Sequence, residues 1–329
     1  MTSIYFNTGS RYTDVIESYG LAVCEYESSR AIMAKLSQHA TVAECIPLVR
    51  LVFVRRNGTF RCSALYNGDI DPADVTSDFF DTMTSVEKCL ILDPKFSVRN
   101  YFQERADLFY AGIINSPRLK MAQKADAKLK IILANNRADL ERSAHYGPHG
   151  IIPLGMPKGR KQKGASAINT AIKETSEETG ISASNLQPNI RHSVTVDYVD
   201  DGHRYIFKFY PAIMKKPHVL VLDRSTVDMY DEVTELFYAS KSELATKSMD
   251  PLTKKIYFDH FDNFAALVVN TLAAQTYRPR DSRAQAYSWT IKRHLSCEPS
   301  QPAQKPDELF ESAIKAAESV LTTDDESDF

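Results

Sequence analysis

Residues 159–181 read GRKQKGASAINTAIKETSEETGI, and three acidic side chains near the end of this stretch organise the reading of the whole chain. Glu174, Glu177 and Glu178 are followed at once by Gly180. If Ser166 to Thr179 is a helix, positions 174, 177 and 178 stand at i, i+3 and i+4 and share one face. Three carboxylates so close repel one another unless a proton or a cation neutralises them. Hard divalent cations take oxygen ligands of this kind, and magnesium bridges protein carboxylates to substrate phosphates. Alone, an EExG ending is a solvated last turn with a glycine C-cap. Here Pro157-Lys158-Gly159 makes a turn ahead of the helix, and Arg160, Lys161, Lys163 and Gly164 extend a basic, glycine-flanked loop. A cationic loop running into an acidic helix can hold a polyphosphate and its metal together.

These residues resemble the Nudix box, G-x5-E-x7-R-E-U-x-E-E-x-G-U, where U is bulky and apolar. Gly159, Glu174, Glu177, Glu178, Gly180 and Ile181 match it. Three positions depart: the first glutamate falls on Ala165, the arginine on Lys173, and the U after the RE pair on Thr175. In the family the arginine orients the catalytic glutamates through paired hydrogen bonds. Lysine keeps the charge but lacks the planar fork, so a looser pairing is expected. The family's first glutamate is mostly structural, so Ala165 weakens loop anchoring more than chemistry.

At 329 residues the chain has room for one large domain or two. Its charged and hydrophobic fractions, 25% and 43%, are those of a soluble globular protein. A net charge of −2 excludes a global attraction to nucleic acid, so any RNA contact must be local. Cys24, Cys45, Cys62, Cys89 and Cys297 form no CxxC pair, which favours reduced thiols over a disulfide framework or a zinc site. No apolar run approaches the roughly 20 residues that span a bilayer, and the start lacks a secretory stretch. The expectation is a soluble, intracellular protein that meets no membrane.

Tyr19 to Cys24 reads as a short buried strand, whereas Ser28 to Ala40 fits either a small helix or an irregular loop. Ile46 to Arg55 is β-branched and apolar, and Asn57-Gly58 predicts a hairpin turn into a second strand, Thr59 to Tyr66. From Asp71 to about Arg142, apolar groups recur at helical spacing, with Pro94 and Pro117 as punctuation, predicting about four helices. So long a stretch between strands reads as a helical insertion with its own core. Between Lys95 and Arg142 it carries ten basic against five acidic side chains. Such a run is either a solvated helix face or a surface for backbone phosphates.

Val194 to Val199 and His203 to Tyr210 predict a hairpin about Asp200-Asp201-Gly202. Over Asp231 to Leu244 the Nudix resemblance implies a loop glutamate, an apolar strand carrying an aromatic, and a helix. Phe261 to Ala274 reads as an apolar helix covering the sheet. Beyond Tyr277 the chain is polar, with one possible amphipathic helix from Asp307 to Leu321 and an acidic, disordered end.

The resemblance implies an α+β Nudix fold, a mixed sheet sandwiched between helices, with an inserted helical subdomain and a flexible C-terminal tail. Residues 1–70 and 146–277 would form the Nudix domain, 71–145 the insertion and 278–329 the extension. It implies a cleavage in which water attacks a pyrophosphate with magnesium or manganese bound. Glu178 would be the strongest metal ligand and the base or water-orienting group. Glu174 and Glu177 would complete the shell, with Glu232 entering from the downstream loop and Glu235 as second choice there. Lys158, Gly159, Arg160 and Lys173 would hold the phosphates.

Residues 79–101, the run-in to PKGR, and TAIKETSEETGI are similar to the mRNA decapping and diphosphoinositol polyphosphate phosphohydrolase type of Nudix enzyme in large cytoplasmic DNA viruses, African swine fever virus among them. That likeness covers about residues 18 to 275. It implies capped mRNA as substrate, 7-methyl-GDP as product, and a cytoplasmic location, the host's if the chain is viral. Arg118, Lys120, Lys124, Lys128 and Lys130 would then contact RNA. The alternatives are a small-molecule hydrolase acting on diphosphoinositol polyphosphates, dinucleoside polyphosphates or ADP-ribose, and a non-catalytic RNA-binding module. The sequence leaves oligomeric state and the cap-binding aromatics open.

Overall fold

Alternation along one strand builds two apolar layers. The structure, a computed structural model, describes residues 2–6, 15–109, 116–161, 163–200, 203–223 and 232–276. Strand β1 is Thr2–Phe6 and β2 is Val15–Cys24. In β2, Ala22 and Cys24 face one core while Leu21 and Val23 face another, as the period of two requires. The first core is closed by α1 (Tyr26–Ser37), the short α2 (Val42–Cys45) and an apolar helix, Phe261–Thr276, whose Phe264, Ala265, Val268 and Leu272 are buried. On the other face, Leu21, Val23 and Val52 pack with Ala171 and Ile181, which belong to the stretch that opened the sequence reading.

β2 is longer than its sequence suggested and pairs in parallel with a strand at residues 203–214 along its whole length, Val15 with Arg204 to Cys24 with Ile213. The strand over residues 46–55 begins later than expected: Ile46–Leu48 is a single 3-10 turn around Pro47, and β3 spans Leu51–Arg56. The expected hairpin at Asn57-Gly58 does not form. Thr59 instead accepts a hydrogen bond from the Cys62 amide and caps helix α3, Phe60–Asn67. Cys62, Leu65 and Tyr66, at i, i+3 and i+4, bury one helical face, which overrides the β-turn propensity of Asn-Gly.

Helices α4 (Ser85–Leu92), α5 (Val98–Phe109) and α6 (Ser116–His145) complete this helical region. They share a third core with α3, including Phe80, Met83, Ile91, Ala122 and Leu129. Pro117 does not break the pattern but lies in the first turn of α6, where its missing N–H is harmless; the break in α6 is a non-helical Asn136. One buried carboxylate ties the region together. Glu87 accepts from the amides of Thr59 and Thr84, the caps of α3 and α4, both at 2.7 Å. Its neighbour Lys88, fully buried, donates to the carbonyls of Ser143 and Pro148, satisfying the end of α6.

The chain then returns to the sheet through β4 (Leu154–Gly155), β5 (Lys158–Arg160), α7 (Ala167–Thr179), β6 (Leu186–Pro188), β7 (Val194–Asp200), β8 (His203–Met214) and β9 (Val233–Ala239). Helix α8 is Lys241–Ala245, and α9 is Phe261–Thr276. The mixed sheet runs β1-β7-β8-β2-β3-β4, with β5 beside β2, β6 beside β8 and β9 beside β3. The β7–β8 hairpin forms as predicted, although residues 201 and 202 of its turn lie outside the described residues. Strand β1, parallel to β7, has no counterpart in the sequence reading. The expectations for 278–329, including Cys297 and the 307–321 helix, also lie outside the described residues. Among the described residues, no helix is long and apolar enough to cross a membrane.

A carboxylate-lined candidate active site

Helix α7 sets the geometry. Ser166 caps it through the Asn169 amide, and Gly180, in the left-handed conformation, ends it. Its sheet-facing stripe holds Ala171, Thr175 and Glu178, so Glu178 is drawn into the core and is only 3% exposed. Thr175, at a position expected to be apolar, is fully buried and its hydroxyl has no partner. Glu177 sits about 100° round the helix from Glu178, and there it meets Lys173 at 2.7 Å. Lys173 thus pairs with Glu177 at i,i+4.

Strand β5 lays the Lys158–Arg160 backbone along Gly20–Ser18 of β2, directly against α7. The Lys158 amide donates to Glu178 Oε2 at 3.2 Å. A Cβ on Gly159 would lie 2.0 Å from Glu174 Oε2, so the glycine lets a carboxylate rest on the backbone. The Lys158 ammonium stands 4.2 Å from the centre of the Phe207 ring, a cation–π contact. Arg160 is exposed.

Arg56, missed in the sequence, completes the cluster. Its guanidinium lies 3.7 Å from Glu178 and 4.0 Å from Glu232. The register between β3 and β9 shifts between Arg55 and Arg56, which leaves Thr234 as an extra residue and bends the pair at this point. The Asn57 amide holds the Glu232 carbonyl at 3.0 Å, so Glu232 is fixed beside the arginine. Glu235 is elsewhere: it is bound by Arg55 at 2.8 Å and by Lys247, a structural triad. Only the paired arginines Arg55-Arg56 at a strand end hinted at this division of labour.

Burial dominates the electrostatics. It pushes the Glu178 carboxyl up to about 7, with Arg56 opposing and the Glu232 charge adding. It pulls the Lys158 ammonium well down, and Arg56 adds to the effect. Glu174 is also raised, by burial first and by the charges of Glu177 and Glu232 against that of Lys173. Glu174 and Glu178 therefore both feel the charge of Glu232. Among the described residues, however, no three acidic, imidazole or thiol side chains are disposed to hold a metal ion. The expected ready-made cage is absent because Glu177 is turned to Lys173 and Glu232 to Arg56. The donor chemistry, all oxygen and electron-rich, fits a hard divalent cation; the side-chain arrangement is one held by lysine and arginine.

A cleft opens beside the carboxylates, lined by Arg56, Lys158, Tyr198, Phe207 and Tyr257, with Phe60 at 57% exposure among its walls. The basic helical face lies on α6. Lys120, Lys124 and Lys130 are exposed there, but the Lys128 ammonium donates to the Gly68 carbonyl at 3.0 Å, closing the end of α3. The Arg118 side chain lies outside the described residues.

No family model matches the chain, and no curated protein matches it. Several solved structures are similar, two of them Ap4A hydrolase structures from C. elegans. A C. elegans Ap4A hydrolase binary complex aligns over 80% of this chain and 99% of that one, at 10% identity and a TM-score of 0.34. The C. elegans Ap4A hydrolase aligns over 38% of this chain and 78% of that one, at 21% identity and a TM-score of 0.26. Likeness of this degree is silent on substrate.

Proposed function

We propose that this chain is a metal-dependent pyrophosphohydrolase of the Nudix type, acting on capped mRNA to release 7-methyl-GDP and 5′-monophosphate RNA. The observation that carries the hydrolase reading is the burial of Glu178 between the Lys158 amide and Arg56, in the field of Glu232. A carboxyl raised toward neutrality is suited to taking a proton from water. Water adds to one phosphorus of the anhydride, the bridging P–O bond breaks, the leaving phosphate carries the electron pair, and the proton passes to Glu178. Magnesium or manganese, held by Glu174, Glu177, Glu178 and Glu232 once their side chains turn inward, would supply charge neutralisation on the phosphate oxygens. Arg56 and Lys158 hold the phosphates from the cleft side, Arg160 from the exposed edge and Lys173 beyond Glu177.

Support for RNA comes from the motif resemblance and the exposed Lys120, Lys124 and Lys130 on one long helix. A second reading is hydrolysis of dinucleoside polyphosphates, which calls on the same carboxylates with Arg56 and Lys158 and needs no contact from α6. Cap-labelled long RNA incubated with magnesium or manganese distinguishes the two. Release of 7-methyl-GDP by the parent, abolished in Glu178→Gln, is the expected result. Turnover of a dinucleoside polyphosphate without cap release moves the assignment to the second reading. RNA binding with no hydrolysis of either substrate makes the chain a binding module.

A further inference from the structure

Phe60 is open to solvent where its neighbours are not. Of the large hydrophobic side chains exposed among the described residues, only Phe60 lines the cleft that also holds Arg56 and Lys158. More than half of it meets solvent, whereas the Tyr198, Phe207 and Tyr257 rings of the same cleft are buried. A lone exposed apolar residue is common on any protein. Here the surrounding chain holds the ring at the cleft. Residues 57–59 are clamped at both ends: the Asn57 amide donates to the Glu232 carbonyl at 3.0 Å, and the Thr59 amide and hydroxyl donate to Glu87 at 2.7 and 3.1 Å. Gly58 passes so close that a Cβ there would stand 3.0 Å from Glu87 Oε1. Thr59 then caps α3, Arg61 turns to the Phe79 ring at 5.0 Å, and Cys62 enters the third core. Phe60, the first residue of α3, is thus fixed four residues beyond Arg56, at most about 14 Å along the chain.

We propose that the exposed face of Phe60 is the stacking platform for the nucleobase of the substrate, whose phosphates lie against Arg56 and Lys158. The inference rests on the pyrophosphohydrolase reading and deepens it by naming a nucleotide as the substrate class. An aromatic ring held open to solvent suits a base, which offers a π-face whatever its identity. Within the reach from Arg56 to Phe60, one nucleotide can touch both, its phosphate at the arginine and its base at the ring. A diphosphoinositol polyphosphate has no flat ring to offer, so Phe60 selects nucleotides against it. Because Phe60 belongs to α3, the helical region supplies base recognition while the sheet and α7 supply the carboxylates.

Full-length parent, Phe60→Ala and Phe60→Trp are compared, with magnesium, for binding of a methylene-bridged cap dinucleotide and of methylenediphosphonate, which has no base. Phe60→Ala should weaken the cap analogue about 5- to 150-fold, the range of one base–aromatic stack, and leave diphosphonate binding unchanged. In turnover, KM should rise with kcat held. Phe60→Trp should bind the cap analogue at least as tightly as the parent, and its added indole fluorescence should be quenched by that analogue and not by diphosphonate. Equal weakening of both probes in Phe60→Ala makes Phe60 a support for Arg56 and overturns the proposal. Unchanged cap binding, or an indole that is not quenched, overturns it while parent turnover keeps the hydrolase reading. If Phe60→Ala fails to fold, the fluorescence of Phe60→Trp decides alone. A parent that binds neither probe and cleaves no phosphoanhydride overturns both.

Discussion

Arg56 reaches the buried Glu178, its Nη2 standing 3.7 Å from Oε1. The guanidinium comes from a sheet strand rather than from the helix itself, and its other nitrogen faces Glu232 at 4.0 Å. Arg56→Gln should therefore lower kcat/KM by about 100-fold, the scale seen when a preorganised donor is removed from a reacting centre. Arg56→Lys should recover only part, because the fork is lost. Steady-state kinetics on both variants check this, and equal activity of Lys and Arg at position 56 would remove the geometric argument.

The raised Glu178 carboxyl has a signature in stability. Its folded value, about 7, lies above the ordinary 4.5, so between those limits the folded state binds more protons than the unfolded. Stability from this group is present at low pH and is lost as pH rises from about 4.5 to about 7. Glu178→Gln removes that dependence. In metal-free buffer, the variant's melting temperature relative to the parent's should climb across this window. A constant difference across it would contradict the burial argument.

Gly159 separates packing from chemistry. In Gly159→Ala the new methyl would meet the far end of the Glu174 side chain at 2.0 Å, and that end can swing away. The melting temperature should change little while activity falls at least 10-fold, because Glu174 leaves its place on the Gly159 backbone. Loss of fold, seen by circular dichroism, would mean that the strand and not the carboxylate resists the methyl.

Glu232 and Glu235 should behave as opposites. Burial pushes Glu235 up, but its bonds to Arg55 and Lys247 outweigh this and hold it below its ordinary value. Its contribution is thus present above pH 4.5 and lost as pH falls through the depressed value. Glu235→Gln should destabilise at neutral pH, by an amount that shrinks in acid, and leave KM unchanged. Glu232→Gln should do the reverse, sparing stability and lowering kcat. Denaturation and kinetics on the two variants decide it.

On α6, Lys120 and Lys124 are exposed on neighbouring turns, whereas Lys128 closes α3. Reversing Lys120 and Lys124 to glutamate should weaken RNA binding about 10-fold or more and flatten its salt dependence, with no loss of stability. Lys128→Ala should lower the melting temperature instead. Unchanged RNA affinity in the double reversal would leave these lysines as a solvated face.

What the chain declares in one dimension is what neighbours within a turn or a hairpin control. The helix from Ala167 to Thr179 was legible because Ser166, Gly180 and the 3.6-residue period act over short range. The β7–β8 hairpin and α9 were legible for the same reason. The hairpin at Asn57-Gly58 was misread because its local signal yields to helix burial by Leu65 and Tyr66 against a core made far away in the chain. Glu174, Glu177 and Glu178 could be picked out by spacing, yet spacing gave no account of which would be buried. That followed from the sheet beneath α7, which takes Glu178 and leaves Glu177 to Lys173.

Sequence by itself thus determined the acidic helix, its glycines and the basic run into it. Only the tertiary structure decided that Arg56 and Glu232 meet there. A register shift between β3 and β9 brings them in. That device is long-range, set by how the strands pair once the sheet has formed, and no periodicity along the chain encodes it.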